Sequence, residues 1–156
     1  MNDESQSRAE PRFGPEFLSN LWDEHMRHEF ATHNTEDTLA TMGVLVDANN
    51  VNRGFLLDKK GAVTTFDAPD AGTGPDQGTD PWGINTNGAI AGYYVNGANV
   101  FHSFVRDKDG AIVEFAVPGA VNMGNFASIA PNGAVVSFYL DANNVAHGFV
   151  RQAGGH

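Results

Sequence analysis

The chain has 156 residues, no cysteine and a formal net charge of −10. That length suits one domain, and the missing cysteines exclude disulfides and thiolate chemistry. The acidity is spread over both parts, net −6 over residues 1–40 and −4 over residues 41–156. Neither part offers a basic face, which argues against nucleic acid as a partner, since that affinity depends on cations neutralising phosphates.

No stretch approaches the ~20 apolar residues of a membrane helix, so no membrane partner is expected. The start, MNDESQSRAEPRFG, lacks the basic opening and apolar centre of a secretory signal, and the chain reads as cytoplasmic. Residues 1–14 are polar and read as disordered. Pro15 then opens a helical arm that runs to residue 42. Phe17, Leu21, Trp22, Met26 and Phe30 fall on one apolar stripe at helical spacing, a surface suited to packing on a sheet or on a partner chain. Asn34 or Thr35 can cap a short second helix, with Glu36 and Asp37 in its first turn.

From Thr41 onward the chain repeats itself, and the β-repeat domain is set at residues 43–156. GVLVDANNVNRGFLL from Gly43, GYYVNGANVFHSFVR from Gly92 and SFYLDANNVAHGFVR from Ser137 align at offsets of 49 and 45 residues. LLDKKGAVTTFDAPDA and VRDKDGAIVEFAVPGA obey the first offset; GINTNGAIAG and SIAPNGAVVS obey the second. The difference falls in DAGTGPDQGTDPW, an insertion expected to form a mobile surface loop. Asn-Gly between apolar runs signals hairpins. DKKG, DKDG, DANN and NGAN supply further turns, with Gly where positive φ is needed. The intervening IAGYYV, HSFVR and IVEFAVP are rich in aromatic and β-branched residues, as strands are. Three strands in the first unit, four in the second and three in the third make about ten.

Two resemblances follow from these residues. FLSNLWDEHMRHEFATHNTEDTLATM, from Phe17 to Met42, resembles the N-terminal helices of SnoaL-like polyketide cyclases, which implies a helical hairpin for the arm. The pocket-forming sheet of that family does not follow, so no catalytic residue is carried over. Gly83-Ile84-Asn85, Gly92-Tyr93-Tyr94, His147-Gly148-Phe149 and the stretch from Phe115 to Ala120 resemble the Gly/Phe-rich repeats of long bacterial proteins that are predicted to form β-propellers. The expected fold is therefore mainly β, with antiparallel propeller-like repeats in about three units behind an N-terminal helical arm.

The candidate ligand-binding residues are Trp82, Asp80, Tyr94, His102, His147 and Arg53. Trp82 is a possible stacking platform for a sugar or another flat ligand. Asp80, with Asp70 and Asp76, places carboxylates in a Gly-rich loop, although the spacing fits no EF-hand. Arg53, His102 and His147 share one repeat position, which points to a structural bond from strand to turn rather than to catalysis. Ser103 beside His102 faces the other side of a strand, so the two make no nucleophile–base pair. The helical His25 and Glu29 lie four apart without the order of a zinc helix. No catalytic residue, metal or cofactor is assigned.

These features point to a non-catalytic, self-associating interaction module, with a homodimer favoured and a small molecule or glycan as a further ligand. A hydrolase or lyase with its site at the centre of the assembled repeats is the alternative, and a purely structural assembly unit a third reading. The homodimer is expected on counting grounds, because three units are fewer than the four to eight that close a propeller.

Overall fold

The computed structural model describes residues 41–58 and 60–154. Residues 1–14 and the arm, with Phe17, Leu21, Trp22, Met26 and Phe30, lie outside the described residues, apart from the last two positions of the arm. Eleven strands follow in order: β1 (Thr41–Val46), β2 (Asn52–Leu57), β3 (Val63–Phe66), β4 (Gly78–Ile84), β5 (Ile90–Val95), β6 (Phe101–Arg106), β7 (Ile112–Phe115), β8 (Asn122–Met123), β9 (Ser128–Ile129), β10 (Val135–Leu140) and β11 (Ala146–Arg151). The described protein is mainly β, with no helix among the described residues. It also contains no helix long and apolar enough to cross a membrane. The first strand begins at Thr41, and Met42 within it is 1% exposed.

The turns explain why these strands form. In six of them an Asp or Asn ends one strand, and its Oδ1 accepts the backbone N–H groups two and four residues on. These residues are Asp47, Asp58, Asn85, Asn96, Asp107 and Asp141, with distances of 2.8–3.1 Å. Such side-chain capture of the backbone is what makes these residue types turn formers. The residue three places on takes a left-handed φ each time, and it is Asn50, Gly61, Gly88, Asn99, Gly110 or Asn144. Only Gly, or an Asn with local hydrogen bonding, adopts that conformation cheaply. The two backbone donors also hold the Asp47 and Asp58 carboxyls below their ordinary range.

Antiparallel pairing joins β1, β2 and β3 into one unit and β4 to β7 into a second. In the third, β10 pairs with β11 on one side and with both β8 and β9 on the other. The expected count of three, four and three strands becomes three, four and four. The opening position of the third unit is interrupted by Gly124-Asn125-Phe126-Ala127 and so counts as two short strands, whereas β4 bridges the same place through a bulge between Pro81 and Gly83. A single parallel bridge, Asn52 to Gly78, joins the first unit to the second, so the pairing is not wholly antiparallel.

The insertion is partly a surface loop, with Asp70, Thr73, Pro75 and Asp76 exposed, and partly built into the fold. Gln77 and Gly78 are buried. The Gly72 N–H donates to the Val95 carbonyl at 2.8 Å, and the Gln77 amide donates to Asn99 Oδ1 at 2.8 Å. Asp76 N–H donates to the Asn50 carbonyl while the Asn50 amide donates back to Asp76 Oδ1. The segment thus ties a turn of the first unit to the corresponding turn of the second. Asp80 and Trp82, expected in this loop, stand on β4 instead.

The core lies between units. One cluster joins Met42, Leu56, Phe66 and Ala68 of the first unit to Ile84, Ile90, Tyr94 and Phe104 of the second. The next joins Ala91, Val105 and Phe115 of the second to Ala127, Ile129 and Val135 of the third. The two seams repeat one motif. Phe66 meets Phe104 edge-on at 6.3 Å and lies under the Arg106 guanidinium at 4.9 Å. Phe115 meets Phe149 at 6.0 Å and lies under Arg151 at 4.8 Å. Both arginine Nε atoms are buried without a hydrogen-bond partner. The ring face beneath each guanidinium supplies an attraction in its place.

Candidate functional site

Arg53, His102 and His147 stand six residues after the turn residues Asp47, Asn96 and Asp141, and each bonds back to its own. Arg53 Nε donates to Asp47 Oδ2 at 3.2 Å, and its other arm reaches Asp67. His147 Nε2 lies 2.9 Å from Asp141 Oδ2, and His102 Nε2 lies 2.9 Å from Asn96 Nδ2. The strand neighbour completes each clasp. His102 stacks on Tyr94 at 4.9 Å and His147 on Tyr139 at 5.1 Å, while Leu45 is the register partner of Arg53. The two histidines are therefore committed to their own hairpins, and Arg53 to its own turn and to Asp67 beyond β3. Tyr94 is buried, and burial, with Glu114 second, pushes its phenol upward, so it presents no titrating hydroxyl at neutral pH. The His147 bond, ahead of the backbone donors, holds the Asp141 carboxyl below its ordinary range.

The turn residue dictates which way the clasp is polarised. Asn96 Oδ1 already accepts from Ala98 and Val100, so its Nδ2 donates and His102 Nε2 must accept. Asp141 has only acceptors, so His147 Nε2 must donate. The two histidines are therefore expected to carry opposite protonation at Nε2 near neutral pH, with a bare Nε2 on His102 and a protonated one on His147. Nitrogen-15 shifts of the rings check this; matching Nε2 states would contradict the clasp geometry.

Asp80 and Trp82 belong to a different cluster. Tyr93 Oη donates to Asp80 Oδ2 at 2.7 Å, and the Tyr93 ring packs on Phe101 at 5.3 Å. Burial, followed by the Asp80 charge, pushes the Tyr93 phenol far up. The Trp82 indole bears on the same hydroxyl, yet its buried Nε1 does not reach hydrogen-bond geometry. The structure brings Asp80 and Trp82 together around Tyr93, which the sequence reading left out of the site.

The most open apolar surface was not a sequence-based candidate. Met42, Ala91 and Val136 occupy one repeat position, and their exposures are 1%, 0% and 48%. Leu56 and Val105 pack into the two seams, whereas Val150 at the same position is 60% exposed. At the neighbouring position Gly54 lies under the Phe66 ring and Ser103 is buried, while a Cβ on Gly148 would meet no atom within 4 Å. The third unit thus leaves uncovered the face that its two predecessors seal. The alignment of Ala91 with Val136 held the signal, but only a packed structure shows which copy is covered.

No protein-family model matches the chain, and neither a curated protein nor a solved structure does.

Proposed function

We propose that the chain is a non-catalytic interaction module whose units stack in a propeller-like array, and that it works as a homodimer joined through the open face of the third unit. The observation that carries this reading is the threefold comparison just made: one surface, sealed twice by a following unit and left open once. The polar residues first considered as ligands support the same conclusion, because Arg53, His102 and His147 are spent on their own turns. Phe55, on the face of the first unit turned away from the second, is only 5% exposed. Leu45 and Leu57 beside it are half-buried and Val63 is 36% exposed, so the third unit, with Val136 at 48% and Val150 at 60%, offers the more open apolar surface. That favours a two-fold contact of third unit with third unit over a head-to-tail one.

Light scattering at micromolar concentration should give about twice the chain mass of 16.7 kDa. Val136→Asp with Val150→Asp should halve that mass and leave the melting temperature of the single chain nearly unchanged. Both side chains are exposed in one copy, but two carboxylates brought together in a dry contact are costly. A wild-type monomer would overturn the proposal.

A further inference from the structure

The third unit is open along an edge as well as on a face. In the first two units the strand that bears the clasp residue is closed by a four-residue strand, β3 on β2 and β7 on β6. The register is the same in both. Phe66 stands opposite Gly54 and Val63 opposite Leu57; Phe115 stands opposite Ser103 and Ile112 opposite Arg106. β11 pairs with β10 alone among the described residues, so its outer backbone groups have no strand beside them. Gly148 and Arg151 hold the positions that face the phenylalanine and the β-branched residue elsewhere. The Phe66 ring approaches within 2.7 Å of where a Gly54 Cβ would stand, while the same space at Gly148 is vacant. Residues 1–40 contain neither Val nor Ile, so that stretch has no copy of the closing pattern.

We propose that the outer edge of β11 accepts an extended segment of a partner protein, running antiparallel to it, in which a Val or Ile stands three residues before a Phe. This rests on the reading that the third unit is the contact surface, and it names the partner chemistry. The specification comes from the chain itself, since β3 reads VTTF and β7 reads IVEF. Backbone pairing along β11 supplies affinity, and the vacant space over Gly148, beside exposed Val150, supplies selectivity for the aromatic ring. Strand addition at a free sheet edge works in this way, with main-chain bonds for strength and side-chain seats for choice.

The probe is a fluorescent peptide with the sequence of residues 110–120, titrated with the full chain. Saturable binding is expected. It should weaken about tenfold or more when Phe115 of the peptide becomes Ala, and again when the protein carries Gly148→Leu. Gly148→Leu fills space that is empty in the free chain, so its melting temperature should stay close to wild type; a valine at peptide position 112 should be tolerated. No saturable binding overturns the proposal, as does binding that survives both changes. The dimer contact covers the face that seats the ring, so the titration is run at a concentration where scattering gives the single-chain mass. A chain that dimerises at higher concentration yet ignores the peptide there sinks the edge and spares self-association, whereas a chain that stays monomeric throughout and binds it does the reverse.

Discussion

Phe104→Ala is expected to cost about 3–5 kcal/mol, the range for emptying a well-packed aromatic site. Phe104 is 0% exposed and stands edge-on to Phe66 across the first seam. Its ring also lies close to the position a Gly92 Cβ would take, so backbone lines one side of the site and cannot relax into a void. A domain of this size is stable by only about 5–15 kcal/mol, so one substitution would remove a large share. Urea denaturation gives the number directly. Val113→Ala, on β7 with its side chain 52% exposed, serves as the control and should stay within about 0.5 kcal/mol of wild type. If Phe104→Ala cost less than about 1 kcal/mol, the seams would not be what holds the units together.

Gly78→Ala should be as damaging for a different reason. Gly78 opens β4 at φ +113° and forms the one parallel bridge to Asn52. An added Cβ would overlap the Asn52 carbonyl oxygen, a backbone atom that cannot swing aside. Disfavoured φ and backbone collision add, and a loss of about 3 kcal/mol or more is expected. The same change at Gly97, where nothing lies within 4 Å and φ is ordinary, should be neutral or slightly stabilising. Comparing the urea midpoints of the two variants gives the combined cost of the φ and the collision at the bridge. Equal midpoints would mean that the close approach of Gly78 to Asn52 contributes nothing to holding the first two units together.

The strands were readable from the sequence because their punctuation repeats. An Asp or Asn that captures two backbone amides, followed at the third place by Asn or Gly, is local chemistry, and it fixed the hairpins without reference to the rest of the chain. The position shared by Arg53, His102 and His147 was readable as structural for the same reason, although the opposed polarity of the two histidines needed the hydrogen bonds of Asn96 and Asp141. What depends on distant packing was not readable. Gln77 looks like a loop glutamine until Asn99 is seen to bind it. Asp80 and Trp82 look like loop residues because Pro81 lies between them, but a bulge lets β4 pass through. Val136 and Ala91 are interchangeable as letters, and only the presence or absence of a following unit decides which one meets water.

The repeated seam has one more consequence. Since Phe66 relates to Phe104 and Arg106 as Phe115 relates to Phe149 and Arg151, each unit is matched to its neighbour and to nothing farther away. Stability in such an array behaves as a sum of unit terms and nearest-neighbour couplings. Length then becomes a free variable. A gene duplication that appends another forty-odd residues would have to bring the closing strand and its Phe, since β11 has none beside it, and a deletion of whole units would leave the remaining joints intact. Growth and loss by single units then reuse one kind of joint throughout.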